Sequence, residues 1–90
     1  MPEKQIENYL KAQILKKGGL AIKIYSFAYT GLPDRLVLMP GGKPFWVELK
    51  DGNKPLQPRQ VAVHKVLREL GFIVIVIRSK EEVKLFVDGL

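Results

Sequence analysis

Asp34, Glu48 and Lys50 lie in the stretch TGLPDRLVLMPGGKPFWVELK, residues 30–50, among mostly apolar neighbours. Two carboxylates and an ammonium group on strands that should fill a core require a chemical reason. Buried carboxylates that approach one another cannot both stay ionised without a cation. Lys50 supplies one positive charge. A hard divalent ion, Mg²⁺ or Mn²⁺, supplies more, prefers oxygen ligands and completes its shell with water. Such an ion lowers the pKa of a bound water and steadies charge on a phosphoryl oxygen. Lys50 could then orient the attacking water or stabilise the developing negative charge.

That chemistry demands a particular geometry. Strand side chains alternate between faces, so Glu48 and Lys50 share a face with Trp46, while Phe45, Val47 and Leu49 take the other. Asp34, Leu36 and Leu38 share a face of the preceding strand. A two-residue loop at Gly41-Gly42 would set Asp34 opposite Leu49, on the wrong side. A three-residue loop, residues 41–43, would set Asp34 opposite Lys50 and diagonal to Glu48. A bulge would also correct the parity. An odd-length loop or a bulge is therefore expected.

The remaining elements must hold this hairpin. Residues 3–17 read as a helix, with Ile6, Leu10 and Ile14 recurring every fourth residue, Pro2 at the start and Gly18-Gly19 at the stop. Residues 20–27 form a candidate strand, followed by a glycine-containing loop. The hairpin strands span 34–39 and 44–50. A helix over 58–70 turns Val63, Val66, Leu67 and Leu70 to one side. FIVIVI, residues 72–77, reads as a buried strand of the parallel type, which implies a right-handed crossover. Ser79 and Glu82 suggest a capping box for a last short helix carrying Val83, Phe86 and Val87. The order α-β-β-β-α-β-α predicts an α/β fold of three layers, a mixed sheet flanked by helices, in one domain over residues 1–90.

On the first helix, at about 100° per residue, Glu7 falls roughly 60° from Leu10 and 20° from Ile14. It lies at the margin of the buried face, where it either pairs with a lysine or joins the acidic cluster. Glu3 projects the same way from the frayed end.

Composition narrows the classes. The 47% hydrophobic content excludes disorder, and the absence of cysteine excludes disulfides and Cys-based zinc sites. A single histidine, His64, excludes a His-rich metal site. The longest apolar run is far short of the roughly 20 residues that cross a bilayer. The N-terminus lacks the apolar core of a secretion signal, so no membrane association and a cytoplasmic location are expected. Fifteen basic residues against nine acidic ones give a net charge of +6, which favours polyanion partners, nucleic acid first.

GLPD, then VELK after a glycine-containing turn, then Gln60 in the next helix, resembles the PD-(D/E)xK nuclease superfamily. Within it the chain is similar to the VRR-NUC (virus-type replication-repair nuclease) group in its small stand-alone form. The resemblance runs from Ile6-Glu7 to FIVIVIRSKEEV and includes Gly31. It implies a restriction-endonuclease-like core and a metal-dependent endonuclease that hydrolyses DNA phosphodiesters. By that analogy Asp34, Glu48 and the backbone carbonyl of Leu49 hold the metal, and Lys50 assists the nucleophile. Glu7 acts on the metal directly or through water, and Gln60 positions Lys50 or substrate. It also implies a homodimer that resolves four-way (Holliday) junctions in phage or bacterial cells, since two symmetric cuts suit a two-fold dimer.

Other residues carry plainer readings. Lys54 and Arg59 are candidate phosphate contacts, whereas Lys65 and Arg68 read as solvated helix positions. Lys16 and Lys17 complement a helix dipole. His64 reads as a surface or partly buried helix residue, and Trp46 as core. Tyr25, Phe27 and Tyr29 could line a dimer interface, wedge a junction or fill the core. The rival to an enzyme is a DNA-binding module that keeps the nuclease fold without cutting. A purely structural domain with internally paired charges is a third reading.

Overall fold

The computed structural model describes residues 2–90. Helix α1 (Glu3–Lys16) forms where the fourfold spacing predicts it, and its Ile6, Leu10 and Ile14 are wholly buried. Four strands follow in the sheet order β1-β2-β3-β4: β1 (Leu20–Lys23), β2 (Arg35–Met39), β3 (Lys43–Leu49) and β4 (Val74–Ile77). The first two pairings are antiparallel and the last is parallel, with helix α2 (Pro58–Glu69) in the connection from β3 to β4. Helix α3 (Lys80–Asp88) ends the chain. The expected element order and mixed sheet are both present.

The apolar core lies on one face of the sheet. Val37, Val47, Leu49 and Ile77 point from the strands onto Ile6, Leu10 and Ile14 of α1 and Val83 and Val87 of α3. Each fully buried aliphatic side chain of this kind contributes about 2 kcal/mol by leaving water. Ser79 caps α3 by accepting a hydrogen bond from the Glu82 N–H at 3.1 Å. The Glu82 carboxylate reaches back to the N–H of Arg78 rather than that of Ser79, so the expected box closes one residue early. No helix among the described residues is long and apolar enough to cross a membrane.

Three elements depart from the sequence reading. Strand β1 stops at Lys23 because its partner β2 begins at Arg35; one more bond, Ile24 N–H to the Asp34 carbonyl at 2.8 Å, follows before the chain leaves the sheet. Tyr25 and Phe27 are therefore loop residues. Strand β4 starts at Val74, opposite Trp46, which leaves Phe72 and Ile73 exposed. On α2 the buried positions are Val63 and His64, whereas Val66 and Leu70 face solvent. The inner face of α2 thus runs through Gln60, Val63, His64 and Leu67, an i, i+3, i+4, i+7 stripe. That rotation brings Gln60 and His64 over Glu48, on the sheet face opposite α1.

Candidate active site

The site begins with the β2–β3 turn. Met39 pairs with Lys43, so the loop is the three residues Pro40, Gly41 and Gly42, the last two at positive φ. The odd length is as expected, but the loop starts one residue earlier than the Gly41–Lys43 reading. Arg35 pairs with Val47, so Asp34 falls opposite Glu48 rather than Lys50. Both carboxylates and Lys50 thereby share the sheet face that α2 covers.

Asp34 sits one residue before β2, and its Oδ1 accepts a hydrogen bond from the Leu49 N–H at 3.1 Å. The side chain continues the ladder where the strand has ended. In an extended residue the N–H and C=O leave the strand on the same side, so the Leu49 carbonyl also faces Asp34. The Leu49 side chain is meanwhile locked in the core at 1% exposure. Gln60 donates to Glu48 Oε2 at 3.3 Å and accepts from the Gln57 N–H at 2.9 Å. Gln60 therefore orients Glu48, not Lys50. The Lys50 ammonium forms no ion pair among the described residues.

The two acids are electrostatically unsettled. Burial pushes the Asp34 carboxyl up, and the Leu49 N–H only partly offsets this. Burial and then the charge of Asp34 push Glu48 up to about 7, against the pull of Lys50. Among the described residues, Glu48 Oε1 is buried with no hydrogen-bond partner. Glu3, half-buried at the start of α1, adds to the negative field at both acids.

Of the two readings open to Glu7, the ion pair is the one present, and it does not join these acids. It lies on the other side of the sheet, bonded to Arg35 at 2.9 Å, Lys4 at 3.0 Å and Lys23 at 3.6 Å. Burial raises its carboxyl, but the Arg35 guanidinium and Lys4 ammonium outweigh that and bring it to about 2. The reason is Arg35, only 4% exposed, whose buried guanidinium requires a carboxylate. Strand alternation placed Arg35 on the α1 face, and Glu7 is the acid on the buried side of α1. That pairing was available from the sequence. The acid of α1 whose field reaches Asp34 and Glu48 is Glu3.

His64 is also a correction. It is completely buried, not on the surface or partly buried, and among the described residues neither ring nitrogen has a hydrogen-bond partner. Its Nε2 lies 3.9 Å from Glu48 Oε1. Burial, with the charges of Arg68 and Lys50, lowers its pKa, so the ring is held neutral.

A cavity of about 120 Å³ opens beside Asp34, Glu48 and Gln60, with Tyr29 and Gly31 in its wall. Clefts of about 300–390 Å³ elsewhere have no acidic residue in their linings. Gly31 shapes the cavity: at φ +90° it lets the loop lie on α2, where a Cβ would stand 2.7 Å from the Arg59 carbonyl. Arg59 Nε donates to the Thr30 carbonyl at 3.2 Å from the same turn. Arg78 bonds the Gly52 and Lys54 carbonyls at 3.0 and 2.6 Å, fixing the loop after β3 and leaving Lys54 exposed.

The donor set suits a hard cation that brings its own water. Among the described residues no three His, Cys, Asp or Glu side chains form a metal-binding group. Two carboxylates and the Leu49 carbonyl are what the chain offers, and Mg²⁺ characteristically takes few protein oxygens and keeps several waters. The unpartnered Glu48 oxygen and the raised acids fit such an ion.

A mixed four-stranded sheet with α1 and α3 on one face, and two acids and a lysine under α2 on the other, defines a nuclease-type α/β protein. No family model matches the chain. It is 44% identical over 80 residues to "Putative nuclease p44" of Acyrthosiphon pisum secondary endosymbiont phage 1, covering 88% of this chain and 85% of that protein. A solved structure described as "VRR_NUC domain" superposes with a TM-score of 0.90 at 32% identity, covering 96% of this chain and 94% of that one. The chain belongs to the VRR-NUC family of nucleases.

Proposed function

We propose that this protein is a divalent-metal-dependent endodeoxyribonuclease that cuts branched DNA. The observation that carries the reading is the convergence of Asp34 and Glu48 on one sheet face, with a buried Glu48 oxygen unpartnered and both carboxyls pushed up. Asp34, Glu48 and the Leu49 carbonyl would hold Mg²⁺ or Mn²⁺. The ion, when bound, would supply Lewis-acid polarisation and a more acidic water. In the hydrolysis a water oxygen bonds to phosphorus and a bridging P–O bond breaks, leaving a phosphate on one chain end and a hydroxyl on the other. Lys50, two residues beyond Glu48 on the same face and free of an ion pair, stabilises the negative charge that develops. Gln60 holds the Glu48 carboxylate in place, and Glu7 acts at one remove by holding Arg35 beside Asp34. Lys54 and Arg59 contact phosphates on either side.

The assembly we propose is a homodimer acting on four-way junctions in the cytoplasm of bacterial or phage-infected cells. Its support is the half of the sheet that α2 leaves uncovered. Leu20 and Ile22 of β1 and Leu38 of β2 point to that face at 57%, 41% and 37% exposure. Exposed apolar side chains gathered on one sheet face suit an interaction surface.

The test is cleavage of four-way, flap and linear DNA with Mg²⁺, Mn²⁺ or EDTA, alongside sedimentation at micromolar concentration. Metal-dependent cutting of the junction by a dimer supports the reading. Binding without cutting at any metal concentration would make the protein a DNA-binding module instead.

A further inference from the structure

The loop between β1 and β2 carries three aromatic residues that the fold does not use. Phe27 is 94% exposed, Tyr25 76% and Tyr29 48%. They are not remote from the chemistry, because Tyr29 lines the cavity that holds Asp34 and Glu48. The Ser26 hydroxyl accepts from the Tyr29 N–H at 3.2 Å and folds the loop tip into a turn. Each tyrosine has a cation against its ring: Arg59 lies 5.3 Å from the Tyr29 centroid and Lys23 6.0 Å from that of Tyr25. Phe27, between them, has no polar atom with which to bond water or phosphate.

Exposed ring faces interleaved with cations suit one class of partner. Proteins that hold single strands combine a positive track for the phosphates with aromatic faces on which bases stack. Paired bases inside a duplex offer no free face, whereas unpaired ones do. Resting on the nuclease reading above, we propose that the Tyr25–Tyr29 loop is a stacking platform for unpaired nucleotides beside the scissile phosphate. Among branched substrates, those with unpaired bases at the branch, such as flaps or junctions opened at the crossover, are then held more tightly than fully paired ones. Phe27 and Tyr25 supply the faces; Lys23, held by Glu7, lies beside the Tyr25 ring, while Arg59 stabilises the Tyr29 ring and draws in the phosphate backbone.

The test is binding by the full chain in EDTA, where hydrolysis is blocked, to fluorescein-labelled oligothymidylate and to a blunt duplex of equal length. Replacing Phe27 by Ala should reduce the ratio of oligothymidylate to duplex affinity about tenfold, and Phe27→Trp should restore it. Thermal melts of Phe27→Ala should match wild type, because the side chain packs against nothing. No oligothymidylate binding by wild type, an unchanged ratio, or a dimer that dissociates on Phe27→Ala would each overturn the proposal; the last would make the loop an interface between copies. Because binding is read without metal, these outcomes stay separate from a failure of the nuclease reading, which would show as absent cleavage in Mn²⁺.

Discussion

Replacing Glu48 by Gln should stabilise the metal-free protein at pH 8. An unfolded glutamate titrates near 4.5, but in the fold burial and the charge of Asp34 hold Glu48 at about 7. Between those pH values the native protein keeps a proton that the unfolded chain has released, so stability falls as pH rises through this window and levels off above it. The displacement from 4.5 to about 7, at roughly 1.4 kcal/mol per pH unit, amounts to about 3 kcal/mol. Gln keeps the shape and can still accept from Gln60, but it never ionises. The variant should match wild type near pH 4 and exceed it by about 3 kcal/mol at pH 8, roughly 10 °C or more in Tm for a domain this small. Urea unfolding in EDTA at pH 4, 6 and 8 measures this, provided the slopes agree. Added Mg²⁺ should reverse the order, because an ion that binds only the native wild-type site stabilises it by mass action. A Gln variant no more stable than wild type at pH 8, or a difference that does not change with pH, would refute the electrostatic reasoning.

Arg35→Met should cost about 2 kcal/mol in urea unfolding, since it removes the buried partner of Glu7 and leaves that carboxylate only Lys4 and Lys23, and Glu7→Leu in the same chain should restore most of the loss. With the Glu7 carboxyl at about 2 in the fold, the wild-type pair should contribute fully above pH 4.5 and fade as pH falls from 4.5 to 2. Gly31→Ala should lower the melting temperature by a shift worth about 2 kcal/mol or more, because φ is +90° and the new Cβ meets the Arg59 carbonyl at 2.7 Å. His64→Leu should leave stability at pH 7 unchanged or raise it by about 1 kcal/mol, as it removes two unpartnered buried nitrogens. Because the His64 pKa is lowered in the fold, its protonation opposes folding, and the Leu variant should lose less stability than wild type below pH 6.5. A loss above about 2 kcal/mol would instead give His64 a polar role.

Local pattern made much of this architecture legible. The spacing of Ile6, Leu10 and Ile14 marked the buried face of α1, and strand parity required an odd turn before Asp34 and Glu48 could meet. What the pattern could not supply was relative placement. The length of β1 depends on where β2 begins, and Lys23 is its last residue because Arg35 is the first of its partner. Hydrophobicity alone turns Val66 and Leu70 of α2 inward, yet both are exposed. The helix instead turns His64 and Gln60 inward, over a carboxylate that needs polar company. The helical angle of Glu7 leaves both an ion pair and the acidic cluster open to it. The buried guanidinium of Arg35, one residue after Asp34 and on the opposite face, explains its actual partner.

Calorimetric titration of Mn²⁺ into the wild-type protein and into Asp34→Asn at pH 8 tests most directly whether these side chains form a metal site. The substitution keeps the side-chain oxygen that accepts the Leu49 N–H and removes only the charge. Saturable binding by wild type, lost or weakened at least tenfold in Asp34→Asn, is the predicted result. Equal binding by both proteins, or none by either, would contradict it.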